Sequence, residues 1–194
     1  MSGVSSQEML FEIRWLGRGG QGVVLVNQIL GISCLKEKKF VQAFPEFGPE
    51  RSGAPVRGYT RISDSYIDDH SPISNPDYVI VIDPTLALTP AAYGGLKENG
   101  VAVLNSARNP DDVRRAGNLP RTKMCIVNAR EVSDRIFKTQ RPIYNTTMLG
   151  ALMKALGFPK LESVQSTLAE RFSGTLLESN VAAVKTGYDE VKII

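Results

Sequence analysis

Gly17-Arg18-Gly19-Gly20-Gln21-Gly22 lies between the apolar run Phe11-Glu12-Ile13-Arg14-Trp15-Leu16 and a helix-patterned run from Val23 to Leu35. Gly17, Gly19 and Gly22 satisfy G-x-G-x-x-G. In that spacing one glycine permits a tight turn, one lets a ligand approach the backbone, and one lets a helix pack closely on a strand. At a strand-to-helix junction the first N–H groups of the helix and its dipole then face an anion. A glycine turn can also exist only for packing, so the rest of the chain has to decide between the two.

Further strand-like runs follow at Phe40 to Phe44, Tyr78 to Ile82, Val101 to Leu104 and Met124 to Val127, several of them β-branched and almost continuously apolar. Such runs suit strands covered on both faces. Helix-compatible segments fall between them at Gly22 to Lys36, Thr89 to Glu98, Asp111 to Ala116 and Glu131 to Thr139. This alternation predicts an α/β fold with a mostly parallel, Rossmann-like sheet and helices on both faces. Val56 to Ser63 and Tyr66 to Asp68 alternate with period two around Asp64-Ser65, which predicts an inserted β-hairpin. From residue 146 to 194 the pattern is helical, with breaks at Gly157-Phe158-Pro159 and Ser173-Gly174. We read residues 1–194 as a single domain whose first nine residues are flexible.

With 194 residues, 23 Lys plus Arg and 20 Asp plus Glu, the formal net charge is only +3. No basic run or RNA-binding signature is present, which argues against nucleic acid as a partner. No apolar stretch reaches the length of a membrane span, and Met1 to Met9 lacks the order of a secretion signal; the expected location is the cytoplasm. Cys34 and Cys125 are too few and too far apart for a disulfide framework or a thiolate cluster, and both read as core residues. His70, the only histidine, sits in a polar stretch without a second ligand to make a metal site and reads as a surface residue. No catalytic constellation is visible.

A second unusual segment is Phe44-Pro45-Glu46-Phe47-Gly48-Pro49-Glu50-Arg51-Ser52-Gly53-Ala54-Pro55. Its prolines stiffen a non-helical loop along which charged and aromatic side chains are spaced, as a preformed recognition surface requires. Pro45, Glu46, Phe47, Glu50, Arg51 and the following Arg57 are the candidate interface residues, and Glu50 and Arg51 read as an interface ion pair.

The glycine stretch, the block Phe44 to Arg57, and Asn145-Thr146-Thr147-Met148-Leu149-Gly150-Ala151-Leu152 together resemble the gamma subunit of 2-oxoacid:ferredoxin oxidoreductases, in order, from about Phe11 to Lys192. The P-E-F-G-x-E-R-x-G block is the specific part. Pro49 stands where relatives often have alanine, and Thr147 where many have proline, so pyruvate, a branched-chain 2-oxoacid and an arylglyoxylate all stay open. The resemblance implies CoA-dependent oxidative decarboxylation of a 2-oxoacid to an acyl-CoA and carbon dioxide, with ferredoxin or another carrier as acceptor. It also implies three partners: a catalytic thiamine diphosphate subunit, an alpha-type subunit and a ferredoxin-like iron–sulfur subunit. This chain has neither a cysteine cluster nor the G-D-G pattern with a downstream asparagine, so thiamine diphosphate and iron–sulfur clusters are expected in those partners.

On this reading Gly17, Arg18, Gly19, Gly20, Gln21 and Gly22 help bind CoA, Arg18 neutralising a phosphate and Gln21 hydrogen-bonding at the helix start. Asn145, Thr146 and Thr147 read as capping residues. Two alternatives stand beside it. One is a purely structural subunit with a filled crevice. The other is an independent NAD(P)-binding oxidoreductase, for which Glu46 is the nearest candidate ribose-binding acid.

Overall fold

The computed structural model describes residues 9–46 and 54–194. The stretch expected to be flexible falls outside them except for Met9. Seven strands form one sheet: β1 (Leu10–Arg18), β2 (Phe40–Pro45), β3 (Pro55–Ser63), β4 (Tyr78–Val81), β5 (Val101–Asn105), β6 (Lys123–Val127) and β7 (Lys192–Ile193). Their spatial order is β2-β3-β1-β4-β5-β6-β7. The centre, β1-β4-β5-β6, is parallel, while β3 runs antiparallel to β1, β2 to β3, and β7 to β6. Six helices accompany it: α1 (Val23–Lys36), α2 (Pro110–Gly117), α3 (Ala129–Ile136), α4 (Asn145–Leu156), α5 (Leu161–Ala169) and α6 (Gly174–Glu190).

Successive side chains of a strand point to opposite faces, and here both faces are buried. Ile13, Trp15, Ile80, Ile82, Val103 and Cys125 pack with α1, α4, α5 and α6, whereas Leu16, Val79, Val81, Leu104, Met124 and Ile126 pack with α2 and the Ala87–Tyr93 region. α1 is apolar on most of its circumference because it lies between the sheet and other helices, and Val23, Val26, Ile29, Leu30 and Cys34 are all buried.

Three expectations about local structure need correcting. The antiparallel hairpin exists, but its arms are β2 and β3; Tyr66 to Asp68 forms no strand and instead packs beside β2, where Gln42 Nε2 donates to the Ile67 carbonyl at 3.2 Å. Thr89 to Glu98 is not a helix. It holds a 3-10 turn at Pro90–Tyr93 after another at Leu86–Leu88, because Pro90 and Gly94-Gly95 bound too short a run to propagate. The helical C-terminal region ends at Glu190, and Lys192–Ile193 crosses to pair with β6, with Met124 and Ile194 exchanging backbone hydrogen bonds.

Helices α4 and α6 cross in close backbone contact. A Cβ on Gly150 would collide with the Val184 carbonyl, and one on Gly187 with the Thr147 carbonyl. Gly150→Ala is therefore expected to cost about 2–3 kcal/mol by overpacking and to lower Tm by roughly 5–10 °C. Gly157→Ala, at a left-handed φ of 82° but with open space around it, should cost about 1–2 kcal/mol. Thermal melts of both variants check this; equal shifts would contradict the close crossing.

Candidate functional site

The chain leaves β1 through α1 toward β2 on one side, while the parallel neighbour on the other side of β1 is β4. The carboxyl ends of β1 and β4 are therefore a topological switch point, the crevice where open α/β sheets take ligands. All six glycine-loop residues lie there. Gly17 is a packing glycine, since a Cβ would stand 2.7 Å from Val23 Cγ2. The Gly19 N–H donates to the Ala54 carbonyl at 3.1 Å and ties the loop to the start of β3. Gly20 has φ 90° and nothing within 4 Å of its missing side chain; Gly22, with φ 74°, is the N-cap of α1.

The side chains of the loop converge on Asp83, two residues beyond β4. The Gln21 amide oxygen accepts from the Arg18 N–H at 2.8 Å, and its amide nitrogen donates to Asp83 Oδ2 at 2.7 Å. Arg18 Nε lies 3.4 Å from Asp83 Oδ1, and its Nη2 donates to Thr85 Oγ1 at 3.0 Å. Asp83 Oδ1 also accepts from the backbone N–H groups of Thr85 and Leu86 and from the Thr85 hydroxyl. Asp83 is buried, and that desolvation by itself raises its pKa. The hydrogen bonds from Thr85, Gln21 and Leu86 outweigh it and hold the carboxyl below its ordinary range. Arg18, 36% exposed at its side chain, is thus a paired residue at the rim of the crevice and not a solvated one.

A second helix reaches the same place. Asn145 begins α4, its side-chain amide contacts the Gly22 carbonyl at 3.5 Å, and a Cβ on Gly22 would collide with that amide. The N-cap of α4 is Tyr144, without a side-chain cap, and Asn145, Thr146 and Thr147 are buried in its first turn; none of the three is the N-cap, though Asn145 Oδ1 accepts from the Thr146 N–H at 3.0 Å. Thr146 Oγ1 instead hydrogen-bonds Asn180 on α6 at 3.1 Å. Neither α1 nor α4 has a side-chain cap or an acidic residue in its first turn. In α2 and α3 the caps Asn109 and Asn128 accept backbone N–H bonds and acids follow in the first turn. At the glycine loop the compensation comes from elsewhere: the Asp83 carboxylate lies beside Gln21 at the start of α1, and Asn145 Oδ1 takes the Thr146 N–H in α4.

Of the expected interface residues, Phe47, Glu50 and Arg51 lie outside the described residues. Pro45 closes β2; Glu46 pairs with Arg57 at 3.2 Å and accepts from the Tyr59 hydroxyl at 2.8 Å, beside the stacked rings of Phe44 and Tyr59. This geometry counts against a nicotinamide site. Glu46 follows β2 as a ribose-binding acid should, but β3 separates β2 from β1, which moves Glu46 about two strand spacings, roughly 10 Å, from the glycine loop. Cys34 and Cys125 are buried, and burial, with Glu37 adding to it, pushes the Cys34 thiol up to about 12. His70 is exposed and lies 3.3 Å from Gln42 Nε2. Among the described residues no cluster of His, Cys, Asp or Glu could hold a metal, and no helix is long and apolar enough to cross a membrane.

Asp83 and Asn145 are the residues whose place in the site the sequence reading missed. Asp83-Pro84 is legible as a strand exit, and Asp83-x-Thr85 as a side-chain-stabilised turn, but nothing in the local pattern joins either to residues 18–22.

A glycine loop at the switch point of an open sheet whose central strands are parallel defines a Rossmann-like α/β domain. Residues 12–190 match the pyruvate ferredoxin/flavodoxin oxidoreductase family, and the chain belongs to it, as a subunit of gamma type. It is 41% identical over 186 residues to pyruvate synthase subunit PorC of Thermotoga maritima, covering 94% of this chain and 95% of that one. It is also 41% identical to the common gamma subunit of pyruvate/ketoisovalerate oxidoreductases of Thermococcus kodakarensis, over 95% of this chain and 98% of the relative. The crystal structure of the Thermotoga maritima pyruvate oxidoreductase subunit PORC superposes with a TM-score of 0.84 at 39% identity, covering 95% and 98% of the two chains.

Replacing Asp83 tests the hub of the site. Its folded-state pKa is depressed, so its stabilising contribution is complete above the ordinary carboxylate range and is lost as pH falls through the folded value. Asp83→Asn should cost about 1–3 kcal/mol at neutral pH, with the gap to the unmodified protein closing below about pH 4. Urea midpoints across pH read this directly; parallel pH profiles for the two proteins would contradict it.

Proposed function

We propose that this chain is the gamma subunit through which a multisubunit 2-oxoacid oxidoreductase of the cytoplasm handles CoA and holds its catalytic parts together. The carbon–carbon cleavage and the electron transfer to ferredoxin or another acceptor belong to partners: a thiamine diphosphate subunit, an alpha-type subunit and a ferredoxin-like iron–sulfur subunit. The names of the relatives, pyruvate synthase and pyruvate/ketoisovalerate oxidoreductase, support pyruvate or a branched-chain 2-oxoacid as substrate.

The observation that carries the CoA part is the meeting of two helix N-termini, neither with an acid in its first turn nor a bond from its N-cap side chain, at a glycine loop whose rim holds Arg18. A phosphate over Gly20 would meet backbone N–H groups, two helix dipoles and a guanidinium at once. Asn145 would fix the loop's outer edge. Pro45, Glu46 and Arg57, with Phe47, Glu50 and Arg51, supply the docking surface in this reading.

One observation favours the purely structural alternative: the floor of the crevice is filled by the chain's own Gln21 and Asp83 side chains. A ligand phosphate must then sit above Gly20 and not between β1 and β4. Gly20→Asp and Gly20→Asn, made in the assembled enzyme, separate the readings, because the two side chains share size and backbone strain and differ in charge. CoA binding at the loop requires Gly20→Asp to raise the KM for CoA about tenfold over Gly20→Asn, by placing a like charge beside the phosphate. Equal KM values for the two variants would leave the structural reading standing.

A further inference from the structure

The net charge of +3 hides a strong asymmetry. Residues 108–141 carry nine Lys or Arg against four Asp or Glu, a local excess of +5, so the remainder of the chain is slightly acidic. This segment builds β6, α2 and α3 at the β7 edge of the sheet, the end away from β2 and β3. Some of its cations are neutralised internally: Arg115 pairs with Asp112, Arg130 with Asp134, and Arg135 with Glu190. The side chains of Arg108, Arg121, Lys123 and Lys192 are exposed and have no hydrogen-bond or ion-pair partner among the described residues.

Two of these cations, Arg108 and Lys192, lie beside an apolar centre. β7 is a two-residue edge strand, and Ile193 and Ile194 beside it are 48% and 45% exposed. Next to it, between the loop after β5 and β7, lies a cleft of about 460 Å³ whose lining includes Ile126, the cations Arg108 and Lys192, and two carboxylates, Glu131 and Glu190, the latter paired with Arg135. An apolar patch on an open strand edge, where the four unpaired cations outnumber Glu131, which makes no ion pair among the described residues, has the anatomy of a protein interface.

We infer that the β6–β7 edge, with its cleft, is a docking surface for an acidic protein surface held as a fixed subunit of the same complex. The unpaired cations select a partner rich in carboxylates and orient its approach. The exposed isoleucines and the open backbone of β7 argue for a lasting contact and not for a passing electron carrier met by charge alone. Nucleic acid is the poorer occupant, because no aromatic side chain lines the cleft for base stacking. The inference rests on the assembly role proposed above. It adds a second contact surface, at the sheet edge opposite the one that carries Pro45, Glu46 and Arg57.

The test is co-purification of the complex on a tagged copy of the full chain. One triple variant carries Arg108→Glu, Lys123→Glu and Lys192→Glu; a control carries Arg171→Glu and Lys185→Glu, exposed positions of the α5–α6 side. Circular dichroism and Tm confirm that both fold. The triple variant is expected to lose one partner subunit at least tenfold while the control keeps all of them, and raising NaCl from about 0.05 to about 0.5 M should weaken that same contact in the unmodified complex. Full retention of every partner by the triple variant would overturn the docking surface, as would recovery of nucleic acid in place of an acidic protein. Recovery of the unmodified chain alone is a different result and removes the assembly role itself.

Discussion

The buried carboxylate of Asp83 is the constraint on which the glycine loop depends. A charge almost out of reach of water has to be matched by hydrogen bonds and an opposite charge, or the fold would lose several kcal/mol. The turn after β4 supplies the Thr85 and Leu86 N–H groups, and the loop after β1 supplies the Gln21 amide and the Arg18 guanidinium. Satisfying one anion thus sets the conformation of a loop more than sixty residues earlier in the chain. It also leaves Arg18 aimed along the rim of the crevice.

The remaining buried polar groups pin elements in the same way. Asn27 on α1 reaches the carbonyls of Phe44 and Tyr59 and the Thr60 hydroxyl, which in turn accepts from Trp15 Nε1, so α1, β1, β2 and β3 are locked in one register. Arg61, 1% exposed, pairs with Glu12 and donates to the carbonyls of Asp69 and Ser71, fastening the long connection between β3 and β4 onto the sheet. Asn105 at the end of β5 donates to the Ile82 carbonyl and accepts from the Ala129 N–H, joining β4 to the start of α3. Each satisfied group removes a way of misregistering the sheet, which matters because a one-residue slip would reverse every strand face.

This arrangement spreads three chemically distinct surfaces along the sheet. The middle, at β1 and β4, carries the glycine loop; the β2–β3 end carries the Glu46, Arg57 and Tyr59 cluster; the β7 end holds Arg108, Lys123 and Lys192 beside exposed isoleucines.

The parallel strands and α1 were legible because their apolar runs are long and their period is unambiguous, and the glycine loop because left-handed and close-packed positions admit little but glycine. The resemblance carried by residues 17–22, 44–57 and 145–152 was likewise a property of the sequence alone. Strand pairing was not legible. Val56 to Ser63 alternates equally well whether its partner is Tyr66 to Asp68 or Phe40 to Pro45, and only packing against α1 and β1 chooses the latter. The strand Lys192–Ile193 is too short for any periodic signal and exists because β6 offers it an edge. Asp83 and Asn145 entered the site through contacts across 62 and 123 residues of sequence, with Gln21 and Gly22 respectively. Periodicity and spacing report what a residue does with its near neighbours. Which distant residues share a crevice is decided when the sheet brings the ends of β1 and β4, and the first turns of α1 and α4, to one point.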